Sequence, residues 1–228
     1  MNLTREKTLR EMGLGASWKL RAAAATLPSG DTAERHAEAG PGWDELAVTV
    51  ANCRQCPLCE QRKQAVLGVG DQHADWLFVG EGPGANEDEQ GEPFVGQAGI
   101  LLDNMLKSIG LRRGTDVYIA NAVKCRPPQN RTPEASEIAT CRPYLERQIE
   151  LLKPRLIVAL GRPAAQALLQ AEVKIAAARG CLHDYRGIPV IVTYHPAYLL
   201  RNLPDKAKAW EDLCFMRQTM EERKAGVA

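Results

Sequence analysis

The sequence predicts an α/β fold, a parallel sheet covered by helices on both faces. Four short apolar runs carry that expectation: residues 76–79, 117–120, 156–160 and 190–193. Each is rich in Val, Ile, Leu or aromatic residues and lacks clean alternation, the pattern of strands buried on both faces. Helical stretches separate them, and strands that alternate with helices build a parallel sheet between two helical layers. Every run also ends in something chemically unusual, which points to a site at the carboxyl edge of the sheet.

Taken in order, residues 1–42 read as an N-terminal extension and residues 43–228 as the folded domain. The extension holds the breaker clusters Pro28-Ser29-Gly30 and Gly40-Pro41-Gly42. It is read as a flexible tail; the alternative is that residues 4–20 form a short basic helix that docks on a protein partner. A helix over 43–50 leads into the first cysteines. The run at 76–79 stops at Gly80-Glu81-Gly82-Pro83-Gly84, and a helix is expected over 97–109. The second run ends in Asn121, with a helix following over 133–152. The third ends in Gly161-Arg162-Pro163 at the start of a helix over 162–170. The fourth ends in Tyr194-His195-Pro196, and a last helix is expected over 205–223. Glu81, Asn121 and His195 should therefore meet at one rim.

Composition bounds the function. The chain has 228 residues, 45% of them hydrophobic, and a net charge of +1. That is enough for one domain of ordinary size with a core. It argues against a strongly basic coat while leaving room for a local basic groove. No run of 18 apolar residues exists, so no membrane span is expected. No secretory signal is read, and the seven cysteines, an odd count, suit a reducing cytoplasm better than a disulfide framework.

The segment 80–102, GEGPGANEDEQGEPFVGQAGILL, is glycine-rich and acidic and holds no lysine, so a phosphate cradle is a poor reading. Glu81 sits at the strand mouth, where a carboxylate can handle a water or a proton. The cysteines form a second constellation. Cys53 and Cys56 make a C-x2-C pair, with Cys59 close behind, and Cys125 and Cys141 lie further along. Four thiolates suit either tetrahedral zinc or an iron–sulfur cluster, and spacing alone does not choose. The bland alternative is that Cys125 and Cys141 are buried thiols. Cys59 competes with Cys56 as a ligand, whereas Cys181 and Cys214 have no partner spacing.

Three motifs carry a resemblance: the 80–102 segment, N-AVKCRPP at 121–128 and YHPAYLLR at 194–201. Together with C-x2-C followed by C-x15-C, they resemble the family 4, iron–sulfur, uracil-DNA glycosylases. The resemblance covers residues 43 onward. It implies a three-layer α/β/α fold with a central four-stranded parallel sheet. It also implies a monofunctional enzyme that flips uracil out of single- or double-stranded DNA and hydrolyses the glycosidic bond, initiating base-excision repair. The implied roles are Glu81 on the water and His195 on uracil O2. Phe94 is the stacking platform, Asn121 the base reader, Gly82 a backbone N–H donor, and Glu87 a group crowding the C5 position. Leu199 would wedge into the duplex and Arg201 would meet phosphate. Cys53, Cys56, Cys125 and Cys141 would hold a structural [4Fe-4S] cluster, with no nucleotide cofactor. Arg126 and Arg131 are candidates for a DNA-facing loop. Ala197 stands where many relatives have serine. A monomer is expected.

Overall fold

The computed structural model describes residues 42–226. The N-terminal extension, including the candidate docking helix, lies outside the described residues. The strands are β1 (Val69–Gly70), β2 (Trp76–Gly80), β3 (Val117–Asn121), β4 (Leu156–Leu160), β5 (Leu182–Tyr185) and β6 (Ile188–Thr193). The helices are α1 (Gly42–Ala51), α2 (Ala85–Gln90), α3 (Gln97–Ser108), α4 (Ala135–Leu152), α5 (Arg162–Leu169), α6 (Ile175–Ala178), α7 (Pro196–Arg201) and α8 (Asp205–Lys224). Short 3-10 turns cover Pro57–Cys59 and Pro128–Asn130.

The sheet has six strands in the order β1-β3-β2-β4-β6-β5. Its four central strands are the four expected, and all pair in parallel. The expectation of four strands is corrected at the edges, where β1 and β5 pair antiparallel. Both edges escaped sequence reading for physical reasons. β1 is only Val69-Gly70, and Gly70 is there because a Cβ would fall 2.2 Å from the Val117 carbonyl oxygen. β5 reads Leu-His-Asp-Tyr and is buried only at Tyr185, so it has no apolar run. It returns to β6 through Arg186-Gly187, both at positive φ, as a two-residue hairpin requires.

The strands split the core into two layers because successive side chains face opposite ways. Leu77 and Val79 pack with Trp43, Leu145, Ile149 and Leu168, under α1, α4 and α5. Trp76 and Phe78 pack with Leu102, Leu106, Leu213 and Met216, under α3 and α8. All residues of β2, β3 and β4 are buried. The chain runs from β2 to β3 on one side and then returns to β4 on the other. That reversal opens a crevice at the carboxyl ends, the place where open parallel sheets bind ligands.

Candidate active site

Strand register brings the distant residues together. Gly80 and Asn121 are partners across β2 and β3, and Leu160 and Thr193 are partners across β4 and β6. Glu81 and His195 therefore leave the same edge of the sheet as Asn121. A cavity of about 730 Å³ opens there, and Glu81, Gly82, Glu87, Phe94, Asn121, His195 and Arg201 all line it. Its size falls in the range of small-molecule sites, roughly 300–1,000 Å³. No lysine lines it among the described residues.

Asn121 ends β3 with 2% of its surface exposed, and its Oδ1 is buried without a hydrogen-bond partner. An orphaned buried acceptor is costly, and this one belongs to the cavity lining. Glycine at position 80 makes the arrangement possible, because a Cβ there would lie 2.4 Å from that oxygen and 2.5 Å from Phe94 Cζ. Phe94 is buried at 6% and forms a wall of the cavity. Its ring stacks on His195 with centroids 5.4 Å apart.

His195 caps α7, and its Nδ1 accepts the Ala197 N–H at 3.1 Å. That bond leaves the proton of the neutral ring on Nε2. Burial, and then the nearby Arg201 cation, push its pKa down to about 4, so the ring stays neutral at ordinary pH. The bond uses the backbone of Ala197, so a side-chain hydroxyl at that position is not needed to hold the histidine.

Glu81 follows β2 directly. Burial raises its pKa, while a hydrogen bond with Thr132 and the Arg162 charge pull the other way. A carboxylate raised in this manner is a better proton acceptor once ionised. Arg162 was visible in the sequence only as part of a strand-ending tripeptide; its place beside Glu81 required the fold.

Glu87 lines the cavity, but both its oxygens are engaged. Oε2 accepts the Gly84 N–H, and Oε1 accepts the N–H groups of Val95 and Gly96. The carboxylate closes the glycine-rich loop onto the start of α3. Glu87 does this from within the cavity wall, so the loop backbone fixes where its carboxylate stands.

Leu199 sits apart from the rim. It is 1% exposed and packed in the core, so it cannot reach a duplex without unpacking α7. Its neighbour Leu200 is 40% exposed and Leu203 is 60% exposed, so these are the exposed apolar side chains of this segment. Arg201 is exposed at the cavity rim. Arg131 forms a two-pronged pair with Glu137 at 2.8 and 2.6 Å, and Arg126 donates to Asn130. Both arginines therefore brace the loop over the cavity.

The second constellation lies behind the sheet edge. Cys53, Cys56, Cys59, Cys125 and Cys141 line one small internal void with Arg62, Lys124 and Tyr144. Four of the five sulfurs receive a donor. Tyr144 bonds to Cys53, the Leu58 N–H to Cys56, Arg62 Nη1 to Cys125 at 2.8 Å and the Lys124 N–H to Cys141 at 3.2 Å. No donor is aimed at the Cys59 sulfur among the described residues. Burial raises the pKa of Cys56 and Cys125 and pushes Cys141 up to about 11. A metal bound here would have to displace protons that burial holds on these sulfurs. Lys124 is 1% exposed, and its Nζ donates to the Asn121 carbonyl at 2.8 Å and to Gln148 at 2.5 Å. The thiol cavity and the Asn121 strand end thus share one residue.

Residues 67–214 match the family model described as the uracil DNA glycosylase superfamily. The chain belongs to that superfamily. Relatives place it further, among the type-4 uracil-DNA glycosylases. The type-4 uracil-DNA glycosylase of Pyrobaculum aerophilum is 46% identical over 74% of this chain and 90% of its own. The one from Thermotoga maritima is 49% identical over 69% and 82%. A type-5 uracil-DNA glycosylase of Pyrobaculum aerophilum is more distant, at 30% identity over 69% and 84%. The fold and the relatives agree with the resemblance read in the motifs. No described helix is long and apolar enough to cross a membrane.

Proposed function

We propose that this chain is a monofunctional uracil-DNA glycosylase that initiates base-excision repair on single- and double-stranded DNA. The observation that carries the reading is the buried, unpartnered Asn121 Oδ1 in a cavity walled by the Phe94 ring. A base inside a duplex must be flipped out to reach such a pocket. Uracil offers N3–H as a donor to Oδ1 and O4 as an acceptor for the same amide. Cytosine reverses both, at a cost of about 1–3 kcal/mol per unsatisfied group. Phe94 carries the flipped ring by stacking.

The reaction breaks the bond between C1′ and N1, and its electron pair passes to the uracil ring. His195 donates its Nε2–H to O2, where charge collects, and stays a neutral hydrogen-bond donor. Glu81 orients the water that attacks C1′ and accepts its proton. Its negative charge also stabilises the sugar as that becomes cationic. With no lysine lining the cavity among the described residues, no imine forms and the strand stays intact. Gly82 lets the backbone approach the base, Arg201 meets phosphate, and Leu200 takes the wedge role open to an apolar side chain.

Cys53, Cys56, Cys125 and Cys141 fit a [4Fe-4S] cluster. They line one small void, and donors reach their sulfurs. The cluster would supply binding energy that ties the Cys53 segment to the sheet, with no redox role. The chain acts as a monomer in the cytoplasm, and residues 1–40 are a candidate protein-docking segment; deleting them should weaken binding to such a partner. The reading is tested with a uracil oligonucleotide. Wild type leaves alkali-labile sites, whereas Asn121→Ala and His195→Ala lose activity and still bind DNA. A wild type that leaves none is a DNA-binding module with a structural metal.

A further inference from the structure

Phe94 sits at φ +56°, a left-handed backbone that a bulky residue adopts only when its surroundings impose it. The group that imposes it lies outside the cavity. Arg113, on the turn before β3, donates from Nη1 to the Pro93 carbonyl at 2.8 Å and from Nη2 to the Phe94 carbonyl at 2.9 Å. Its Nε donates to Asp103 Oδ1 on α3 at 3.0 Å. Gly99 completes the seat, since a Cβ there would fall 1.8 Å from the Phe94 oxygen. The carbonyl is thus pressed against the α3 backbone and held by the guanidinium. Lysine cannot do the same work, because only a planar fork meets two successive carbonyls and a carboxylate together.

We infer that Arg113 is a positioning residue for base recognition: its clamp on Pro93 and Phe94 sets the plane of the Phe94 ring against His195 and against the flipped base. The inference rests on the reading that Phe94 carries uracil. It assigns a function to a residue outside the cavity lining.

The test compares full-length, cluster-loaded wild type with Arg113→Ala and Arg113→Lys. Three quantities are read: the inhibition constant of free uracil, the KM and kcat for a uracil oligonucleotide, and the NMR shifts of the His195 ring protons, which lie in the ring current of Phe94. In Arg113→Ala the uracil inhibition constant and KM should rise tenfold or more, kcat should fall by a smaller factor, and the His195 resonances should move. Arg113→Lys should recover part of each. A folded Arg113→Ala with unchanged uracil inhibition and unchanged His195 shifts overturns the inference. If Arg113→Ala does not fold, Arg113→Lys carries the test. It should raise the inhibition constant threefold or more, and wild-type values in all three readouts overturn the inference. A wild type that neither binds nor excises uracil removes the uracil reading alone, because the His195 shifts still report on the clamp.

Discussion

Replacing Gly80 with alanine should disable the site from beneath. The added Cβ would lie 2.4 Å from Asn121 Oδ1 and 2.5 Å from Phe94 Cζ. Carbon atoms in good contact sit about 3.5–4.0 Å apart, so the ring must retreat by roughly 1 Å. The amide must retreat as well. Neither group can yield cheaply: Asn121 ends a central strand, and the Phe94 carbonyl is held by Arg113. A misplacement of ~1 Å costs on the order of 10²-fold in rate. Overpacking a filled site costs about 1–3 kcal/mol, which for a fold of this size lowers Tm by roughly 2–12 °C. The assay is steady-state excision on a labelled single-stranded uracil oligonucleotide, with a thermal melt beside it. Single-stranded substrate removes flipping from the measurement. A Gly80→Ala protein that melts within that range and retains kcat/KM within twofold of wild type would refute the claim that Asn121 and Phe94 need their present positions.

Other expectations follow from the same geometry. Burial and the Arg201 charge keep His195 neutral down to about pH 4, so kcat/KM should show no step near 6.5. Its acid limb should instead follow Glu81, whose pKa is raised, and Glu81→Gln should abolish that limb; a pH–rate profile decides. The depressed His195 pKa also contributes stability that is fully present above pH 6.5 and lost as pH falls through about 4, so urea midpoints of wild type should drop across that window more than those of His195→Gln. Leu199→Ala should cost about 2–5 kcal/mol, as buried leucines do. Leu200→Ala should leave the melt unchanged and weaken activity on duplex more than on single strands. Cys125→Ala should remove the visible absorbance of the purified protein, and Cys59→Ala should preserve it; a colourless, zinc-loaded wild type would contradict the cluster.

The parts legible in the sequence were those with a periodic or local signature. The four central strands announce themselves because burial on both faces forces unbroken apolar runs. The meeting of Glu81, Asn121, Gly161 and His195 at one cavity was legible because each strand ends abruptly there. The edges were not, since a two-residue strand and a hairpin arm exposed along most of its length need no apolar pattern. Leu199 and Leu200 show the limit most clearly. Both are apolar neighbours in one motif, and only the packing of α7 against the core separates the buried one from the exposed one. Glu87 is similar: its place in the motif put it near the cavity, but the three loop N–H groups that fix its carboxylate are visible only in the fold. The sulfur donors show the converse. Arg62 lies 63 positions from Cys125, and no spacing rule connects them.

The most direct test is the release of free uracil from an oligonucleotide containing a single U. Wild type should liberate one uracil for each alkali-labile site formed, with no strand break before alkali, and Asn121→Ala should bind the same oligonucleotide and release essentially none. Binding by wild type with no uracil released, or equal release by Asn121→Ala, would contradict the account.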